Sequence, residues 1–355
     1  MPYLRFPLVW TSCTSRQMVD TQSGYADNRC GRIHSEASAW QLYKPRKSAL
    51  STSVVPMSGL AMEEIIEVPI EGGAGLVIRR HANPDKPRLL LSHGNGFAID
   101  GYRALWKLFA DDFELVLFDQ RNHGRNPLGP IDTHSVAAMA GDHQVVQKVV
   151  RETFGPRFTA GLFHSVSSIA SIRASLDYQA QWDALILFDP PLIAPEGNEL
   201  RAKGQRIDEI LSDFARKRPE HFNDPSEQAT IYRAQIGREW VEGADMDMAK
   251  AVTRPDPAGG YMLSCPGEYE ARIYHDNANF NSYEALSALR QPTLIIGADP
   301  HHGRPMPPAL VGPVAAKEHG LPHIIVPGTG HMLQVEKPDV IAGHVREYLA
   351  AQYVA

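Results

Sequence analysis

Cleaving an acyl bond calls for a nucleophile, a base to take its proton, an acid to hold the base in the right tautomer, and N–H donors for the oxyanion. The segment 158–175, FTAGLFHSVSSIASIRAS, carries the first of these. Its apolar run stops at His164-Ser165 and a small-residue helical pattern begins at once, which predicts a strand turning sharply into a helix with Ser165 at the corner. Such a corner lifts the hydroxyl above the sheet and places the N–H of Val166 at a helix N-terminus, where negative charge is favoured. His331, in PGTGHM (327–332), follows the last apolar run in a glycine-flanked loop and precedes a helix opening at Pro338. Two aspartates end apolar runs between that serine and that histidine: Asp189 after ALILF, and Asp299 in IIGADP. A serine before a helix is also an ordinary cap, and an aspartate before proline an ordinary turn opener. The weight therefore rests on the combination.

The elements that must position these residues read clearly from residue 65 onward. IIEVPI, a turn at Gly72-Gly73, and GLVIRR predict a β-hairpin. RLLLS, ELVLF, the run before Ser165, ALILF, PTLIIG and HIIVP are continuous apolar runs suited to strands buried on both faces. Helical patterns separate them: one around Tyr102–Leu108, one over Ser135–Phe154 with Val136, Met139, Val146 and Val150 on one face, and a closing one from Pro338 to Ala351. Alternation of this kind predicts an α/β fold, a mostly parallel central sheet of about eight strands with helices on both faces. Residues 61–189 and 291–355 make that core.

Residues 190–290 interrupt the alternation and predict a helical cap or lid, with Leu200, Ile207, Leu211 and Phe214 on one face and Ala229, Tyr232, Ile236 and Trp240 on another. Residues 1–60 are rich in Ser, Thr and Arg and lack periodicity, so they read as a disordered extension, with Met57 or Met62 as alternative starts.

Composition narrows the partners. A net charge of −6 without long single-sign blocks argues against nucleic acid, and no apolar run approaches the length of a membrane span. Cys13, Cys30 and Cys265 are an odd number without metal-type spacing, which points to a reducing, cytoplasmic setting.

Taken with HGNGF (93–97), FDQRNHG (118–124), IIGADP (295–300) and PGTGHM, the serine corner resembles the α/β-hydrolase family. The resemblance covers residue 65 to the end, with the cap matching in placement. Its elbow is usually G-x-S-x-G; here it reads Phe163-His164-Ser165-Val166-Ser167, small at Ser167 and not at Phe163. The resemblance implies Ser165 as nucleophile, His331 as base and Asp299 as acid, because the family's acid follows the later strand. It implies oxyanion donors at the N–H groups of Asn95 and Val166, and a pocket formed by Gly94, Gly96, Phe97, His164, Tyr232, Trp240 and Met332. Asp119, Arg121 and His123 are read as holding their loop, and Asp189-Pro190 as hinge or pocket wall. No cofactor is implied, and no metal, since the adjacent His301 and His302 point apart. The expected reaction is hydrolysis of a carboxylic ester or lactone of a small, partly apolar molecule through an acyl-enzyme. C–C cleavage of a diketone or acyl transfer would use the same residues. A non-catalytic small-molecule binder is the alternative of another class.

Overall fold

A computed structural model describes residues 63–72 and 74–353. The expectations for residues 1–60, for Cys13 and Cys30, and for Gly73 in the first turn lie outside these residues. β1 (Glu63–Pro69) and β2 (Gly75–His81) form the expected antiparallel hairpin. The apolar runs become β3 (Arg88–Ser92), β4 (Glu114–Phe118), β5 (Thr159–His164) and β6 (Ala184–Phe188), buried at every residue.

Between β6 and the next strand of the main sheet lie α-helices and a small antiparallel sheet of β7 (His221–Phe222), β8 (Thr253–Pro255) and β9 (Tyr261–Leu263). β10 (Thr293–Ala298) and β11 (His323–Val326) complete the main sheet. Its eight strands run in the order β1-β2-β4-β3-β5-β6-β10-β11, parallel from β4 to β11. Parallel order brings the carboxyl ends of β3, β5, β6 and β10 to one edge, where the sites of open α/β sheets gather.

Helices cover both faces. α1 (Arg103–Trp106), flanked by 3₁₀ turns at Ile99–Tyr102 and Lys107–Phe109, stands in place of the single helix expected there. α2 (Val136–Phe154) opens on Ser135, whose side chain accepts from the Ala138 N–H, and buries Val136, Met139, Val146 and Val150 as its periodicity requires. α3 (Val166–Asp177) follows the serine. Leu89 and Leu91 pack with Tyr102, Leu105, Trp106, Ile341 and Val345 on one face, while Leu90 packs with Val136, Val146, Ile169 and Val311 on the other. That alternation is the period-two geometry of a strand buried on both sides.

The inserted segment carries α4 (Glu199–Lys217), α5 (Pro225–Gln235), α6 (Ala244–Val252), α7 (Gly267–Asn277) and α8 (Ser282–Ala285). Tyr232, Trp240, Met248 and Val252 join the apolar cluster of Tyr102, Leu105 and Met332, so the segment packs directly on the core. One residue of each face expected here is corrected, Phe214 and Ile236. On α4 the fully buried positions are Ser212 and Ala215, and Phe214 is 55% exposed. The reason is close packing on α7, where the Ser212 hydroxyl bonds the Ala271 carbonyl and small side chains let the helices approach. α5 ends at Gln235, and the Gly237 N–H turns back to the Tyr232 carbonyl, so Ile236 faces outward while Trp240 returns to the core.

α9 (Pro307–His319), α10 (Leu333–Glu336) and α11 (Pro338–Tyr353) close the chain. Among the described residues, no helix is long and apolar enough to cross a membrane.

Candidate active site

β5 ends at His164 and α3 begins at Val166, so Ser165 takes the whole turn, at φ 53° and ψ −121°. A side chain at positive φ is strained, and strain held at such a corner marks a site. Phe163 is accommodated by a glycine elsewhere. A Cβ on Gly161, two residues back on the same face, would collide with the Phe163 ring and lie 2.9 Å from Leu185 Cδ2. The elbow's small residue has thus moved to 161, and Phe163 fills the space against Phe118, His143 and Trp182. At the other side, Ser167 Oγ bonds both the N–H and the carbonyl of His164.

His331 Nε2 lies 3.1 Å from Ser165 Oγ, and His331 Nδ1 lies 2.6 Å from Asp189 Oδ2. The carboxylate that reaches the His331 ring is thus Asp189 and not Asp299, where the acid was expected. Asp189 follows β6 at φ 41°, is fully buried, and is anchored by its own N–H to the Ile296 carbonyl and by Oδ1 accepting the Ala298 N–H at 3.1 Å. These bonds from β10 leave Oδ2 for the histidine. Asp299 instead supports the histidine loop: Oδ2 accepts the Gly328 N–H at 2.8 Å, Oδ1 accepts the His301 N–H at 2.9 Å, and its N–H reaches the Thr329 carbonyl. The donated bonds from Gly328 and His301 hold its carboxyl below the usual carboxylate range. Asp189, read as hinge or wall with Pro190 and set behind Asp299 as the candidate acid, is the one in contact with the histidine. Its signal was an aspartate directly after a buried strand, the same signal Asp299 carried.

Neither the Asn95 N–H nor the Val166 N–H has an acceptor among the described residues. Gly94 lies against Ser165: a Cβ there would come 3.2 Å from Ser165 Cβ. Gly96, at φ 75°, donates its N–H to His123 Nε2 at 3.1 Å, and a Cβ on it would meet the Glu270 carboxyl at 2.6 Å. Asn95 Nδ2 donates to the Glu270 carbonyl, so α7 rests on this loop. Phe97, Tyr232 and Trp240 form a ring contact series at 6.2 and 5.4 Å, leading from the loop into the inserted segment. Met332 is buried beside the histidine. The pocket role expected of His164 is corrected: it is 1% exposed, and both ring nitrogens are taken by protein groups, Tyr102 Oη at 2.7 Å and the His331 carbonyl at 2.9 Å.

The surrounding loop is held as expected. Asp119 accepts the N–H groups of Ile99 and Arg125, Arg121 forms a bidentate pair with Asp142 at 2.7 Å, and His123 bonds Gly96. His123, His134 and Cys265 bring potential metal-ligating atoms within 4.8 Å of one another. Their lone pairs are committed elsewhere. His123 Nδ1 donates to the Arg121 carbonyl, which leaves Nε2 as the acceptor for Gly96. Asn122 Oδ1 accepts from the Gly129 N–H, so its amide nitrogen donates to His134 Nδ1 and the proton of that ring sits on Nε2. Burial pushes the Cys265 thiol up and keeps it protonated. A cation here would break two buried hydrogen bonds. His302 Nε2, for its part, faces the Glu239 carboxylate at 2.8 Å.

Residues 89–344 match the profile of the alpha/beta hydrolase family. The sheet order, the strained serine corner and the loops around it agree with that match, and the chain belongs to this family. Among curated proteins it is similar to Esterase YbfF of Escherichia coli (strain K12), 22% identical over 265 residues, 74% of this chain and 92% of the relative. Among solved structures it is similar to E-2-(acetamidomethylene)succinate hydrolase, at TM-score 0.66 and 16% identity over 81% of this chain and 100% of the other. A thioesterase domain from the curacin biosynthetic pathway aligns at TM-score 0.62 and 19% identity, over 80% and 99%. A thermophilic esterase from Thermogutta terrifontis aligns at TM-score 0.59 and 17% identity, over 81% and 99%. At such identities the structural likeness concerns the fold.

Proposed function

We propose that this α/β hydrolase is a serine hydrolase acting on a carboxylic ester of a small, partly apolar molecule, with Ser165, His331 and Asp189 as its catalytic triad. The observation that carries the reading is the unbroken hydrogen-bonded chain from Ser165 Oγ through both nitrogens of His331 to Asp189 Oδ2. Asp189 accepts the Nδ1–H of His331, which leaves the Nε2 lone pair facing the serine. As Ser165 Oγ adds to the acyl carbon, Nε2 takes its proton and the buried carboxylate stabilises the imidazolium. The carbonyl electrons move to an oxyanion met by the N–H groups of Asn95 and Val166. Collapse expels the alcohol, which receives the proton from Nε2. Water then repeats the sequence on the acyl-enzyme, releasing the acid and restoring the serine. The aromatic series Phe97, Tyr232 and Trp240 supports an apolar wall on the side of the inserted segment, which acts as a cap in this reading. The similarity to an esterase supports the ester class.

The test is labelling with a fluorophosphonate, followed by turnover on panels of esters, lactones and diketones. Ser165→Ala should abolish labelling and lower kcat by about 10⁶, with little change in melting temperature. Labelling at another residue, or a tenth of the activity surviving in a pure preparation of the variant, sinks the assignment. Cleavage of a diketone and of no ester would move the protein to C–C hydrolysis.

A further inference from the structure

Resting on the serine-hydrolase reading, we infer that Tyr102 and His164 are positioning residues that lock the oxyanion loop, the serine corner and the histidine loop together through one directional chain of hydrogen bonds. The chain starts from a group that can only accept. The main-chain carbonyl of His331 lies 2.9 Å from His164 Nε2, so that nitrogen carries the proton. His164 Nδ1 then offers a lone pair, and the Tyr102 hydroxyl, 2.7 Å away, must donate to it. The tyrosine oxygen is left to accept, and it takes the N–H of Gly94 at 3.3 Å. Every proton in the series is fixed by the first bond. Gly94 precedes Asn95, whose N–H faces the proposed oxyanion. His164 precedes Ser165. The last acceptor belongs to His331 itself. Three loops from distant parts of the chain thus share one register.

Burial makes the chain insensitive to pH. Tyr102, at 3% exposure, has its hydroxyl pushed further from ionisation by burial, and burial with the nearby His331 holds His164 well below its ordinary value. Neutrality matters because the His164 ring lies 4.7 Å from the His331 ring. A charged His164 would oppose the imidazolium formed during attack. Gly94 completes the fit, since a Cβ there would approach His164 Nδ1 to 2.9 Å.

The experiment compares the unaltered chain with Tyr102→Phe, His164→Gln and the double variant on 4-nitrophenyl butyrate, at a temperature well below every melting point. Active sites are counted by fluorophosphonate titration. Tyr102→Phe should lower kcat per titrated site by about 10- to 100-fold with KM within about twofold, since misplacing loops affects the transition state more than the ground state. The double variant should be no worse than the poorer single one, because the residues act as a unit. A kcat within twofold of the parent, or losses that multiply, would overturn the proposal. Should Tyr102→Phe fail to fold, nitrogen NMR of the parent's histidines decides: a proton on His164 Nε2 is required, and one on Nδ1 refutes the chain. Absence of labelling at Ser165 in the parent would remove the serine-hydrolase reading and this one together, whereas the variant result alone removes only this one.

Discussion

A single carboxylate decides how His331 is held, and two candidates lie within a few residues of it in space. Asp189 touches the ring; Asp299 touches the backbone of the loop that carries the ring. These contacts predict different losses. Asp189→Asn should lower kcat by about 10⁴, because an amide favours the wrong tautomer of His331 while the fold survives. Asp299→Asn keeps one of the two oxygens that accept from the Gly328 and His301 N–H groups, sets an amide donor against the other N–H and loosens the loop, so its loss should stay under about 10²-fold. Steady-state kinetics of both variants, with melting curves as a control, check the order. A reversal would return the acid's role to Asp299.

Among elements, β5 shows how a departure from a motif is absorbed. The residue two before the serine is a buried phenylalanine, and the missing small side chain is recovered at Gly161 on the same face of the strand. Gly161→Ala should therefore destabilise the protein by about 1–3 kcal/mol, the cost of forcing a methyl into a filled core. Combining it with Phe163→Ala should cost less than the sum of the two changes, since the second makes room for the first. Urea unfolding of the three variants measures this. Strict additivity would mean that Gly161 and Phe163 do not compete for the same space. α7 acts at a similar scale: its Glu270 fills the place of a side chain on Gly96, so the helix and the 93–97 loop constrain each other.

At the scale of the whole molecule, the interior holds several buried histidines whose charged form is disfavoured. Burial lowers His93 to about 4, His123 to about 3, His134 to about 2 and His143 to about 3, and His164 lies well below its ordinary value. Unfolding returns these rings to water, where each titrates near 6.5. Above that pH both states are neutral and the groups have no effect on stability. Below it the unfolded chain binds protons that the folded one excludes, so stability falls as pH falls. Each histidine adds a slope of up to about 1.4 kcal/mol per pH unit until its folded value is reached. Urea midpoints should be nearly level from pH 8 to 7 and drop steeply between pH 6.5 and 5. Equal midpoints at pH 6.5 and 5 would show that these rings are not held neutral.

The sheet, the serine corner and the histidine loop were legible in the sequence because their signals are local. Apolar runs of five or six residues, glycines at a turn and a helix pattern starting at Ser165 each express a conformational preference of neighbouring residues. The choice between Asp189 and Asp299 has no local signal, since both end buried runs in adjacent parallel strands. Which of them touches the His331 ring depends on the register of β6 against β10, which ties Asp189 to Ala298 and aims its second oxygen at His331, while Asp299 accepts the Gly328 N–H of the 327–331 turn. The exposed Phe214 on α4, the space that Gly161 leaves for Phe163 and the Tyr102–His164 chain were likewise decided by residues far apart in sequence. Hydrogen bonds and close packing between distant segments depend on where the backbone brings them, and that is determined only when the whole fold has closed.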